Sequence, residues 1–393
     1  MDAGNNIRVA LVTNMVAPYR VSFYNVMAAL CELIVITDTT KEFNRSWDLD
    51  QTKFKFDLLV LNSCSIVLPR KRKDLGYREH RQLHFAEKLI PCLWKLSPDV
   101  VVSNELGLRS FWCMIYCKIL SRTWILASEA TNHTEGWVGG IKKLFRKLLI
   151  SQADYFWSNG KETNTFLVDR GASISRIMPD MTGIATEQFQ ENAAKAFAER
   201  DTLRSSLGLR GVVFLYVGRL ESGKGLKHLM EAICLRAEEL KGRCSFLFVG
   251  SGAMSAELIS EADKLPNIPF HFQGFVQPDQ LAQYFSAGDV FVMPTLDDNW
   301  PLVNLEALAA GLPHLYSIYN GGMMDMNSIA GIGSAIDPRD VLALAKRLVD
   351  CVNVPPDRII GQAADHLLAH YCPSAQAERA VESFRMARML QSD

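Results

Sequence analysis

Asp298 and Glu306 stand eight positions apart in the run Asp298-Asn299-Trp300-Pro301-Leu302-Val303-Asn304-Leu305-Glu306, which continues Ala307-Leu308-Ala309-Ala310-Gly311-Leu312-Pro313. The pattern puts Asp298 in a loop and Glu306 on the helix that follows. Pro301 fits the first helical turn, where its missing N–H costs nothing. Carboxylates accept bonds from hydroxyls, and a helix N-terminus offers N–H donors to an anion. The set suits a ligand with hydroxyls at both ends and phosphate between. The same acids also read as a helix N-cap and an exposed helical acid.

Two glycine loops stand in the same half of the chain. Val217-Gly218-Arg219-Leu220-Glu221-Ser222-Gly223-Lys224-Gly225 follows one β-rich run and precedes a helix. Glycines let backbone approach an anion, and Arg219 and Lys224 add two charges of different reach. An ordinary turn with two solvated cations fits as well. No Gly-Lys-Ser/Thr ending marks it as a Walker A loop. Gly250-Ser251-Gly252 closes another β-rich run, either to admit a ligand or as a tight turn. Ser255 stands where a dinucleotide fingerprint requires Gly or Ala. In the first half, Asn14-Met15-Val16-Ala17-Pro18-Tyr19-Arg20 and Ser128-Glu129-Ala130-Thr131-Asn132-His133-Thr134-Glu135 follow buried β-rich runs. His133 could serve as a base or hydroxyl ligand, or stand solvated in its loop.

These segments need strand ends to hold them. Ile7–Thr13, Leu33–Thr37, Asp57–Leu61, Asp99–Ser103, Thr123–Ala127 and Asp154–Ser158 read as strands covered on both faces, rich in Val, Ile and Leu without alternation. Helices such as Arg20–Leu30 and Gly140–Gln152 lie between them. A second set follows: Val212–Val217, Ser245–Val249, Pro269–Gln273, Asp289–Met293 and His314–Ser317. The pattern predicts an α/β protein of two doubly wound, Rossmann-like domains facing a central cleft. The division expected is 1–185, 186–373, and a C-terminal helix over 374–393 that crosses back. A surface helix is expected over Glu191–Arg204. In such sheets ligands bind at the carboxyl ends of strands, where the glycine loops and the acids fall.

The chain has 393 residues, 48% of them hydrophobic, and a formal charge of −1. It can bury two cores and does not read as a nucleic-acid binder. Residues 1–200 carry a positive balance and 201–393 a negative one. Nine cysteines without a CxxC pair predict reduced core thiols and no zinc site. The polar start and the short, Lys-interrupted window Phe111–Leu120 predict neither a signal peptide nor a membrane span, hence a cytoplasmic protein. Two basic stretches, from Arg70 to Arg81 and the amphipathic Ile141–Ile150, suggest peripheral contact with an anionic membrane. For the second, packing on the sheet with a charged outer face is the plainer reading.

Over about Phe214 to Pro338 the motifs fall in a familiar order. They are Val-Gly-Arg-Leu-x4-Lys-Gly, Val-Gly-x-Gly, Phe-Gln-Gly-Phe-Val, Ala-Gly-Asp-Val-Phe-Val-Met-Pro-Thr, acid-x7-Glu, Gly-Gly and Asp-Pro. The chain resembles the retaining glycosyltransferases of family 4, with the two-domain GT-B fold. That resemblance implies a nucleotide-sugar donor as co-substrate, with no further cofactor. It implies that Arg219 and Lys224 hold the diphosphate, Glu306 the ribose, and Asp298 the transferred sugar. Backbone at Gly274 and Phe275 would meet the base, Leu302 and Val303 would offer N–H groups to phosphate, and Gly250, Gly252 and Gly322 would line the donor. The acceptor would be a glycan, a lipid-linked or a small molecule, in polysaccharide or glycolipid synthesis. The chain departs from the family in having Asp298 where Glu is usual and Pro301 where Gly is frequent. It also lacks a Gly-Gly pair in its first loop. No metal-ligand pattern is visible. Other readings of the same architecture are a non-catalytic nucleotide-sugar-binding subunit, an epimerase or a phosphorylase. A dinucleotide oxidoreductase fits worse because of Ser255.

Overall fold

The computed structural model describes residues 7–40, 50–72, 77–136, 138–178 and 183–392. The chain divides into two compact units. Unit 1 is built on residues up to Ala185 together with Tyr371–Asp393, and unit 2 on Thr186–His370.

Unit 1 contains β1 (Arg8–Thr13), β2 (Glu32–Thr37), β3 (Asp57–Val60), β4 (Ser65–Arg72), β5 (Tyr77–His84), β6 (Val100–Asn104), β7 (Thr123–Ser128), β8 (Tyr155–Ser158) and β9 (Ile177–Met178). Among the described residues, seven of these form a parallel sheet in the order β3-β2-β1-β6-β7-β8-β9. Successive side chains point to opposite faces, so β1 feeds two cores. Val9 and Leu11 join one, and Ala10 and Val12 join the other. The first core is closed by the helix Pro18–Leu30 and by the last helix, Pro373–Ser392, whose Ala377, Ala380, Val381, Phe384 and Ala387 are buried. Phe384 meets Trp157 edge-on at 5.3 Å between ring centroids, and Arg385 donates to the Leu30 carbonyl at 2.7 Å.

Unit 2 contains β10 (Val212–Val217), β11 (Cys244–Val249), β12 (Phe270–Gly274), β13 (Val290–Met293), β14 (His314–Ser317) and β15 (Gly333–Ile336). Their order is β12-β11-β10-β13-β14-β15, with every pairing parallel. Every residue of β10 and β11 is buried, which is why these strands show no polar alternation. The register places Phe214, Phe246 and Phe270 side by side, with stacked rings 5.0 and 5.3 Å apart. The strand order reverses between β10 and β13, and a crevice opens at such a switch point, beyond the strand ends.

Each strand expected from sequence is present within a residue or two of its predicted bounds. The pair β4–β5 was hidden by its basic composition, and the stretch Arg70–Arg81 falls largely on it. Residues 73–76 lie outside the described residues. The helix expected over Glu191–Arg204 is two helices, Thr186–Phe197 and Arg200–Ser206. All nine cysteines are unpaired, but Cys64 and Cys234 are exposed rather than in a core. The basic helix Gly140–Gln152 carries only part of its charge on its outer face: Lys142, Lys143 and Lys147 are exposed, but Arg146 is buried and pairs with Glu135, and Ile141, Leu144 and Leu148 also face outward. No helix among the described residues is long and apolar enough to cross a membrane.

Candidate functional site

The loops after β10 and β13 are tied together on either side of the switch point in unit 2. The β10 loop tightens into a short 3-10 turn, Ser222–Lys224, closed by Gly225 at φ +70°. A Cβ on Gly225 would overlap the Pro294 carbonyl oxygen, so only glycine allows the approach. The Gly223 carbonyl accepts from the Leu296 N–H at 2.9 Å and from Thr295 Oγ1 at 3.3 Å. This stitching presents Lys224 to Asp298, and the two form an ion pair that is mostly shielded from solvent. The Tyr216 hydroxyl donates to the Arg219 carbonyl at 2.8 Å, and burial pushes that phenol well above its ordinary pKa. The Arg219 guanidinium is held by both carboxylate oxygens of Glu221 at 2.8 Å. Both cations singled out for phosphate therefore carry an internal carboxylate partner.

The acid helix begins where the sequence places its start. It spans Val303–Ala309 with Leu302 at its cap, and Pro301 precedes it. The Pro301 carbonyl accepts the Asn304 N–H at 3.1 Å and Leu302 already has helical backbone angles, so the proline stands at the entry to the helix. Asp298 does not cap this helix. Its backbone bridges to Asn320, and its carbonyl accepts the Gly321 N–H at 3.1 Å. The amides of Leu302 and Val303 have no protein acceptor among the described residues. Glu306 sits in the helix interior, and desolvation raises its carboxyl from 4.5 to about 7. The adjacent Asn304 and Asn320 exchange side-chain bonds of 2.9 and 3.2 Å, which fixes the β14 loop against the acid helix. Gly322 lies against the Trp300 ring, whose Nε1 donates to Asp325 at 3.0 Å.

The Gly250-Ser251-Gly252 turn serves packing. The Gly250 N–H donates to the Gly274 carbonyl at 2.7 Å, and a Cβ there would overlap the Gly218 carbonyl. A Cβ on Gly252 would overlap the Leu220 carbonyl. Ser255, the residue that spoils the dinucleotide pattern, bonds back to the Gly252 carbonyl at 2.8 Å and receives its N–H at 3.2 Å. These glycines hold the β10 and β11 loops together, and both of their amides have partners within unit 2. Gly274 at φ +77° leads into exposed Phe275 at the edge of the sheet.

Unit 1 shows the same strand-order reversal, between β1 and β6. Arg20, beyond β1, reaches Glu129, beyond β7, at 3.4 Å. His133 lies in the short helix Asn132–Glu135, which Thr131 and Thr134 close with a reciprocal capping box. It belongs to unit 1. Sequence reasoning passed over a charged cluster on this edge: buried Arg109 pairs with buried Asp38 at 2.8 Å and with exposed Glu105 at 2.7 Å. Glu105 has φ +83°, a strained value for a residue with a side chain. No local motif marks this cluster, because Asp38 lies 71 positions from the Arg109 it pairs with. Among the described residues, no group of three or more His, Cys, Asp and Glu could hold a metal ion.

Comparison with known proteins fits this geometry. Residues 199–362, nearly all of unit 2, match the model of glycosyl transferases group 1. The chain is similar to the sulfoquinovosyl transferase SQD2 of Arabidopsis thaliana, with 25% identity over 297 residues, covering 72% of this chain and 55% of that protein. It is 30% identical over 201 residues to the 2-deoxystreptamine glucosyltransferase of Streptomyces kanamyceticus, covering 48% of this chain and 50% of that one. The chain thus spans about half the length of these curated relatives. Among solved structures, it superposes on Anabaena HepE in complex with UDP and glucose at a TM-score of 0.70, with 15% identity and coverage of 96% and 99%. A glycosyltransferase from Rickettsia africae gives 0.73, with 14% identity and coverage of 98% and 99%. The fold is that of the GT-B class, as expected from sequence.

Proposed function

We propose that this chain is a retaining glycosyltransferase of family 4. In this reading it moves a sugar from a UDP- or GDP-sugar to an acceptor hydroxyl, without a resident metal. The observation that carries the reading is the meeting of Lys224 and Asp298 at the switch point of unit 2, with Glu306 on the helix behind them. Glycosyl transfer needs the leaving diphosphate stabilised as charge builds on it. Fixed donors already aimed at the developing charge do this at little reorganisation cost. Lys224 and Arg219 supply full charges, and the amides of Leu302 and Val303 supply aligned dipoles. Glu306 accepts the ribose hydroxyls. Asp298, once Lys224 turns to phosphate, accepts hydroxyls of the transferred sugar. The UDP-glucose held by Anabaena HepE supports a donor of this class. Family resemblance supports retention, with attack on the face the diphosphate leaves.

The acceptor belongs in this reading to unit 1, where Arg20, Glu129 and His133 lie beyond the strand ends. A glycan or lipid-linked acceptor fits polysaccharide or glycolipid synthesis. The test is a thermal-shift screen of UDP-, GDP- and ADP-sugars, followed by mass spectrometry of transfer and hydrolysis with and without EDTA. Stabilisation and turnover that survive EDTA are expected. If no nucleotide sugar raises the melting temperature, the reading fails. Binding without turnover points instead to a nucleotide-sugar-binding subunit.

A further inference from the structure

The helix Gly140–Gln152 of unit 1 sorts its side chains against the usual rule. Its inner face takes Arg146, Leu149 and Ile150, with Phe145 against Phe111 at 5.7 Å. Its outer face shows Ile141, Leu144 and Leu148, which are 90%, 70% and 43% exposed. These three recur at spacings of three and four, so they form one ridge along the helix. Scattered exposed aliphatics are ordinary on a protein surface. An ordered ridge of three, on a helix that has turned an arginine inward, is a patch that wants a partner. Lys142 flanks the ridge on one side, and Lys143 and Lys147 on the other, all exposed. The sequence from 136 to 152 contains no acid.

We propose that this ridge docks unit 1 on an anionic lipid bilayer, lying in the plane of the headgroups. The charge pattern selects this occupant. Lysines beside aliphatics, with no acid among them, match a negative surface with an apolar layer beneath it. Ile141, Leu144 and Leu148 enter the acyl boundary while the lysine stems reach to phosphate. The docking is peripheral, and no part of the helix crosses the membrane.

The full chain is sedimented with phosphatidylglycerol–phosphatidylcholine vesicles and with pure phosphatidylcholine vesicles. Binding to the anionic vesicles should exceed binding to the neutral ones by about tenfold or more and should fall as salt rises. Lys143→Glu with Lys147→Glu should abolish that preference. Ile141→Ser with Leu144→Ser should cut binding about tenfold while leaving the charges intact. These positions are exposed, and each variant should keep the thermal stabilisation that a nucleotide sugar gives the parent. That separates loss of docking from loss of the donor site. Failure of the parent to bind anionic vesicles would overturn the proposal, as would variants that bind like the parent. Self-association of the parent that disappears in the serine variant would assign the ridge to a second copy instead.

Discussion

Lys224 donates to Asp298 across 74 positions of sequence, and this ion pair occupies the place where a donor diphosphate is proposed to bind. In that reading the carboxylate stands in for phosphate: it holds the lysine in position and releases it to the donor. An ammonium mostly shielded from water is costly to leave without a counter-ion, so the exchange keeps it compensated throughout.

The exchange predicts opposite effects from its two partners. Lys224→Ala removes a charge-assisted contact of roughly 1.5–3 kcal/mol, so affinity for a nucleoside diphosphate should fall about tenfold to a hundredfold. Asp298→Asn removes the competitor, so that affinity should rise severalfold while sugar transfer falls. Isothermal titration with UDP and GDP, beside a transfer assay, measures both. A drop in diphosphate affinity for Asp298→Asn would show that the aspartate holds the lysine for the ligand rather than against it.

Glu306 gives the site a pH dependence. Its carboxyl titrates near 7 in the folded chain because burial disfavours the charge. Only the ionised form accepts both ribose hydroxyls, so affinity for a UDP-sugar should rise from pH 6 to pH 8. A UDP-sugar is the better probe than UDP, since its diphosphate diester keeps its charge over that range. Glu306→Gln should flatten the profile.

The same group affects stability with the reverse sign. Its folded pKa lies above the ordinary value of 4.5, so the folded state binds the extra proton. That contribution is complete below about pH 4.5 and is lost as pH rises through about 7. The shift is worth at most roughly 3 kcal/mol. Chemical denaturation at pH 5 and pH 8 should show Glu306→Gln gaining on the parent at the higher pH, where the parent carries a buried charge.

Gly225 and Gly274 have nearly the same φ, +70° and +77°, but different surroundings. A methyl on Gly225 strikes the Pro294 carbonyl, and one on Gly274 meets nothing within 4 Å. Gly274→Ala should therefore cost only the backbone strain, about 1 kcal/mol. Gly225→Ala should cost more than about 3 kcal/mol, because the β10 and β13 loops must separate. It should also weaken nucleotide-sugar binding. Equal melting temperatures for the two variants would refute the close approach.

Phe384 is fully buried against Trp157. Phe384→Ala should destabilise unit 1 by about 3–5 kcal/mol. Loss of the edge contact should also change tryptophan emission.

Much of this was legible in sequence because buried parallel strands leave solid runs of Val, Ile, Leu and Phe, and β10 and β11 are such runs. The pair β4–β5 was not, since sequences such as Tyr77-Arg78-Glu79-His80-Arg81 give no apolar period to read. Arg219, Lys224, Asp298 and Glu306 stood out by type and by position after strands. Their pairings did not. That Lys224 meets Asp298 depends on the closeness of two loops, fixed by Gly225 and the Pro294 carbonyl. Glycine at 225 signalled a turn but not its neighbour. Pro301 did mark the helix entry, because its missing N–H is one that the first turn leaves unbonded in any case.

The last helix, Pro373–Ser392, has a consequence for the order in which the protein is made. It supplies one wall of the first core of unit 1, while unit 2 is built on the segment synthesised just before it. On the ribosome, unit 2 can close while the first 185 residues still wait for that wall. The half of the chain made first is therefore completed last. Until then Val9, Leu11 and Trp157 lack the cover that Phe384 and its neighbours bring, and the nascent chain depends on whatever shields that face meanwhile.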